Sequence, residues 1–182
     1  AVGYEMYCQL LEQAVREQQG KIEEKKTETT IDLPVSAYIP DGYIASHSQR
    51  IGAYKRIAAI SNQEEFYDTY DEIEDRYGTV PQTVYNLMEI SLLKAMAQKC
   101  GVADILGGGE QIIFRFDTER LPKFEKLLKL VSERPKEFFL PGKDQPKLHF
   151  KLPKPAVGKE RTYFAAIREV FETFEDGSEE NM

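Results

Sequence analysis

Residues 63–77 read QEEFYDTYDEIEDRY, and this stretch sets the architecture of the first half of the chain. Glu64, Asp68, Asp71 and Asp75 recur at spacings of four, three and four. Phe66, Tyr70, Ile73 and Tyr77 repeat those spacings two residues later. A helix turns by about 100° per residue, so the two series fall on roughly opposite faces. One face must bury against other elements. The other is a row of carboxylates ending at Arg76. Ser61 and Glu64 have capping-box spacing at the start, and Gly78 can supply the left-handed residue at the end.

A helix is expected on each side of this stretch. The first covers about residues 46–60, with Ile51, Tyr54, Ile57 and Ala58 inward. The second starts near Pro81, a favoured first helical position. It runs to about Cys100, burying Val84, Leu87, Met88, Leu92 and Ala95, and Gly101 closes it. Upstream, residues 31–39 alternate: Ile31, Leu33, Val35, Ala37 and Ile39 point one way, which predicts a strand. Pro34 cannot donate to a ladder, so that strand belongs at a sheet edge. Downstream, residues 102–106, 111–116, 137–140 and 147–152 read as strands. Residues 121–132 read as a helix with Phe124, Leu127, Leu128 and Val131 inward, and residues 160–175 as a final helix. This order predicts an α+β fold: a small, mostly antiparallel or mixed sheet with helices packed on one face. Residues 1–20 read as a separate helix and 21–30 as a charged linker. Residues 31–175 form the domain, and 176–182 an acidic, disordered tail.

A chain of 182 residues can bury one sizeable core plus an appendage. The net charge of −7 argues against a phosphate-binding surface over the whole chain. Cys8 and Cys100 form no C-x-x-C, and with two histidines they complete no zinc set. They read as free thiols in a reducing cytoplasm. No apolar run reaches membrane-spanning length. The start at Ala1, without an initiator Met, reads as a piece cut from a longer polypeptide.

Candidate chemistry is sparse. Gly107-Gly108-Gly109 sits between strands and lacks the spacing of a phosphate loop, so it reads as a hairpin turn. The carboxylate row lacks a calcium-loop pattern and a pocket to perturb its pKa values. From the residues alone a solvated face is the better reading and a partner face the alternative, to which Arg76 beside Asp75 and Glu72 adds a patterned surface. His47 and His149 each stand alone, without a triad. Lys143, Lys147, Lys151, Lys154 and Lys159 form a modest basic ribbon. A solvated edge strand protected by lysine is its better reading; a nucleic-acid-contacting accessory domain using the Lys143–Lys159 ribbon is the alternative function. A metal-assisted hydrolase built on the carboxylates is a third option. No catalytic, cofactor or metal site is expected.

Four segments resemble the C-terminal region of bacterial transcription-repair coupling factor (Mfd). GYEMYCQLLEQAV (3–15) is similar to the family's G-F-x-L-Y-x-x-x-L-x-x-A-V segment, which closes its motor. IDLPVSAYIP (31–40) is similar to I-D-L-P-V-x-A-Y-I-P, RIGAYKRIA (50–58) to R-x-x-x-Y-K-R-I-A, and EIEDRYGTVP (72–81) to E-L-x-D-R-F-G-x-x-P. Coverage is dense to about Gly109 and looser after it. Tyr4 and Tyr77 stand where the family has Phe. The resemblance implies a parent that is an ATP-driven translocase on duplex DNA, pushes stalled RNA polymerase and recruits the repair ATPase UvrA. It implies that residues 1–20 end the motor and that this domain has no enzymatic activity or cofactor. It further implies that the domain docks on a UvrB-like N-terminal domain of the same chain and covers the UvrA-binding surface. The docking residues carried over are Glu72, Asp75 and Arg76, with Glu64, Asp68 and Asp71 as the supporting charged face.

Overall fold

The computed structural model describes residues 28–117, 124–141, 146–154 and 163–175. The segments expected to form the N-terminal helix, the linker to residue 27 and the acidic tail lie outside the described residues, as do Lys143 and Lys159. The chain divides into two compact units. Among the described residues, one spans 35–95 and the other joins 28–34 to those from Met96 onward.

The first unit holds three helices: α1 (His47–Ala58), α2 (Gln63–Tyr77) and α3 (Gln82–Lys99), the last running into the second unit. Ser46 caps α1, its hydroxyl accepting from the Gln49 amide. The core takes Ile39, Ile44, Tyr54, Ile57, Phe66, Ile73, Val84, Leu87 and Met88, all at or below 3% exposure. Ala53 is buried too, whereas Ile51, Ala58 and Ala95 are half-buried. α2 lies on α3 through rings: Phe66 meets Tyr85 edge-on at 5.5 Å, and Tyr70 meets Tyr85 at 6.2 Å. An extended strap precedes α1. It is held by Tyr38 N donating to Thr83 O (3.2 Å), Ile39 N to the Tyr54 hydroxyl (2.9 Å) and Asn86 Nδ2 to Ser36 O (2.9 Å).

That strap corrects an expectation. The strand predicted over residues 31–39 is only β1 (Thr30–Asp32). Leu33, Ala37 and Ile39 are nonetheless buried while Asp32, Pro34, Ser36 and Tyr38 are exposed. The alternation reports burial. Past Pro34 the backbone bonds to the Tyr54 hydroxyl, to the first-turn carbonyl of Thr83 in α3 and to the Asn86 amide instead of to a ladder.

The second unit is a five-stranded mixed sheet in the order β1-β2-β3-β5-β4, with β2 Val102–Gly108, β3 Gln111–Phe116, β4 Phe138–Phe139 and β5 Lys147–Lys151. β1 runs parallel to β2; the other pairs are antiparallel. The fold is α+β. Gly108 faces Gln111 across the hairpin, with Gly109 at φ 57°, as the triple glycine predicts. α4 (Phe124–Glu133) and α5 (Tyr163–Glu175) complete the unit. Phe171 and Phe174 of α5 meet Phe114 and Phe116 of β3 edge-on at 5.9 and 6.2 Å. Leu127 and Leu130 of α4 are buried, but Leu128, expected inward, is 47% exposed. Arg134, just past α4, pairs with Glu137 and Glu169 and lies 5.0 Å from the Phe138 ring centroid. Its bonds to Glu137, with those to Glu169, push its already high pKa further up.

Gly107 sits on the covered face of the sheet. A Cβ there would come 2.5 Å from Leu33 Cδ2 and 3.5 Å from the Tyr163 ring. Gly107→Val is expected to cost about 1–3 kcal/mol by overpacking, read from the urea midpoint. Gly108→Val, which meets open space, is the control.

Candidate protein-docking surface

α2 is built to show one face. Asn62 is its N-cap, Oδ1 accepting from the Glu65 amide at 2.9 Å. The Glu65 carboxylate reaches back to accept from the Ser61 amide and hydroxyl, both at 2.8 Å. The box is therefore Asn62 with Glu65, one residue later than the Ser61–Glu64 spacing predicts. At the other end Gly78, at φ 84°, donates its N–H to Glu74 O at 2.8 Å, as expected. The bonds from Ser61 hold the Glu65 carboxyl below its usual pKa. A depressed folded pKa contributes stability that is complete above the unfolded value and lost as pH falls through the folded one. Ser61→Ala removes the hydroxyl bond, so the Glu65 pKa is expected to rise in a carboxylate NMR titration, and the acid limb of the stability curve to flatten.

The predicted faces are present. Phe66 and Ile73 are 2% and 3% exposed, and Tyr70 and Tyr77 are half-buried. Glu64, Asp68, Asp71, Asp75 and Arg76 are exposed. The helix carries seven acids against one arginine, a formal charge of −6 beside −7 for the whole chain. Like charges at spacings of three and four repel by about 0.2–0.5 kcal/mol per pair. Among the described residues, Glu64, Asp68, Asp71 and Asp75 have no ion pair to offset this.

Glu72 differs from its neighbours. Its Oε2 accepts from Arg56 Nε of α1 at 2.9 Å, and its Oε1 lies 3.4 Å from an Arg76 terminal nitrogen. The expected Glu72–Arg76 neighbourhood is there. Arg56, sixteen residues upstream, was not among the expected site residues; nothing in the period of one helix points across to another. Beside this edge, Tyr43 meets Tyr77 at 6.1 Å and donates its hydroxyl to Gly78 O at 2.7 Å. Burial first, then the Glu74 charge, raises the Tyr43 pKa.

The lysines lie elsewhere. Lys147, His149 and Lys151 share the face of β5 opposite buried Leu148 and Phe150. A groove of about 480 Å³ runs past Lys136, Phe139, His149 and Lys151. Glu110 and Glu137 also line it, so its charge is mixed. Among the described residues, no group of three or more His, Cys, Asp or Glu is placed to hold a metal ion. No described helix is long and apolar enough to cross a membrane.

The TRCF domain family matches residues 33–127, which contain all of α2. A transcription-repair-coupling factor of Myxococcus xanthus is 34% identical over 131 residues, 72% of this chain and 11% of the relative. The chain belongs to the transcription-repair-coupling factor family. Its relative in Bacillus subtilis is 35% identical over 100 residues, 54% of this chain and 8% of that factor. The chain thus spans about a tenth of the length of the curated family members it matches. A crystal structure of the C-terminal domain of transcription-repair coupling factor shares the fold, with a TM-score of 0.67 over 86% of this chain and 99% of that one, at 24% identity. Both the family match and the fold match are to a TRCF domain, not to a catalytic domain.

Proposed function

We propose that this chain is the non-catalytic, C-terminal regulatory domain of a cytoplasmic transcription-repair coupling factor. In the resting parent it docks on a UvrB-like N-terminal domain through α2 and so covers the surface that UvrA needs. Binding of duplex DNA and RNA polymerase by the parent factor, an ATP-driven translocase, shifts the population to the undocked state. The observation carrying this reading is the charge distribution. Almost all of the chain's net charge sits on one helix, where Glu64, Asp68, Asp71 and Asp75 have no ion pair among the described residues while the apolar face is seated. A mainly basic surface with a carboxylate opposite Arg76, brought to that face, relieves the self-repulsion and gains complementary pairs. Asp75 and Arg76 are the outward contacts, Glu64, Asp68 and Asp71 extend the face, and Glu72 is the charge held from within.

Rim pairs contribute only about 0.2–1 kcal/mol each. A tether supplies a high effective concentration, so a few such pairs suffice for a reversible latch. The experiment is charge reversal at Asp75 in the parent factor, read as UvrA affinity with the fold checked by circular dichroism. Unchanged affinity in a folded variant overturns the assignment to α2. The alternative, a domain that contacts nucleic acid through its lysines, requires salt-sensitive binding of this chain to duplex DNA that Lys147→Glu with Lys151→Glu abolishes.

A further inference from the structure

We propose that Arg56 is a positioning residue of the docking surface, acting through Glu72 to hold Arg76 in its docking orientation. The inference rests on the docking reading of α2 and adds a residue from a different helix to it. Glu72 divides its two oxygens: Oε2 takes Arg56 Nε at 2.9 Å, and Oε1 takes Arg76 at 3.4 Å. The three side chains form a line across α1 and α2, with exposures of 41% for Arg56, 39% for Glu72 and 61% for Arg76. Arg76 is the most exposed member, with a long side chain that by itself samples many rotamers. Its other near neighbour, the Tyr77 ring, is 6.0 Å from the guanidinium carbon.

Glu72 can restrain Arg76 only if Glu72 is itself restrained, and Arg56 supplies that restraint. Arg56 lies in the last turn of α1, where a cation also favours the helix C-terminus, so its backbone is fixed. Ordering a rotamer-rich side chain on binding weakens association by about twofold to tenfold. Arg56 moves that loss into folding, so Arg76 meets its partner already ordered. The Nε donor is specific to arginine; lysine would offer a point charge on a flexible stem.

The test is a mutant cycle in the parent factor. Arg56→Gln is expected to raise UvrA affinity by about twofold to tenfold, and Arg56→Lys to restore only part of the latch. In an Arg76→Gln background, Arg56→Gln is expected to add nothing, because its effect passes through Arg76. On this chain alone, 15Nε relaxation of Arg76 is expected to report greater motion in Arg56→Gln, with the unfolding midpoint little changed. Multiplicative effects of Arg56→Gln and Arg76→Gln would overturn the proposal in favour of a direct contact or a general loss of stability. Unchanged Arg76 motion in Arg56→Gln would also overturn it. If Arg76→Gln itself leaves UvrA binding unchanged while Arg76 motion responds to Arg56, the docking reading fails and the brace stands as a structural element only.

Discussion

Replacing Phe66 by alanine is expected to remove about 3–5 kcal/mol of stability. The ring is 2% exposed and meets Tyr67 and Tyr85 edge-on at 5.6 and 5.5 Å. Truncation loses the transfer free energy of the ring and leaves a cavity between α2 and α3 that the helices refill only in part. Natural domains hold about 5–15 kcal/mol in total, so the variant sits near its unfolding transition. Urea denaturation measures the loss, and Tyr67→Ala is the internal reference. Tyr67 is next in sequence but 59% exposed, so its truncation is expected to cost only its edge contact with Phe66, about 0.5–1.5 kcal/mol. Equal effects at the two positions would mean that α2 is not seated by its ring face.

Charge reversal on the opposite face is expected to act on docking rather than folding. Asp75→Arg in the parent removes one attractive rim pair and puts a like charge in its place. With about 0.2–1 kcal/mol for the lost pair and a repulsion of similar size, the latch weakens by about 0.5–2 kcal/mol. UvrA affinity is then expected to rise by about twofold to thirtyfold. Arg76→Glu is expected to act in the same direction and more strongly, because it also sets a carboxylate against Glu72. Within this chain Asp75→Arg relieves repulsion with Asp71 and Glu72, so its unfolding midpoint is expected to hold or rise. A variant that is less stable and also binds UvrA better would indicate unfolding of the domain, not release of an intact one. Surface plasmon resonance on immobilised UvrA, paired with thermal melts, separates the two.

The helices were legible because α2 segregates its residues so completely that period alone assigns its faces, and its stop at Gly78 uses the one residue type that adopts φ 84° cheaply. Its start was misplaced by one residue. Ser61 and Asn62 are both good caps, and Glu64 and Glu65 both offer a carboxylate, so spacing cannot choose between them. In the fold the cap is Asn62, whose Oδ1 takes the Glu65 amide. Residues 31–39 were a subtler miss. Their alternation is real at the level of burial, but whether an extended segment joins a ladder depends on what lies beside it, and β1 finds its partner at Ile105, far along the chain. Leu128 shares helical spacing with Phe124, Leu127 and Val131, yet the buried pair of α4 is Leu127 and Leu130. On α2, Glu64, Asp68, Asp71, Asp75 and Arg76 point outward as their spacing predicts, whereas Glu72, grouped with them, is half-buried. What escaped was the hand that α1 lays on Glu72. Arg56 lies within a stretch that resembles the family, but its role is a distance between two helices.

Both margins of the sheet are stubs: β1 has three residues, followed at once by Pro34, and β4 has two. Long bare margins recruit strands from neighbouring molecules and seed fibrils. Margins of three and two residues offer a neighbouring molecule little backbone to pair with, so the fold carries its own guard against polymerising edge to edge.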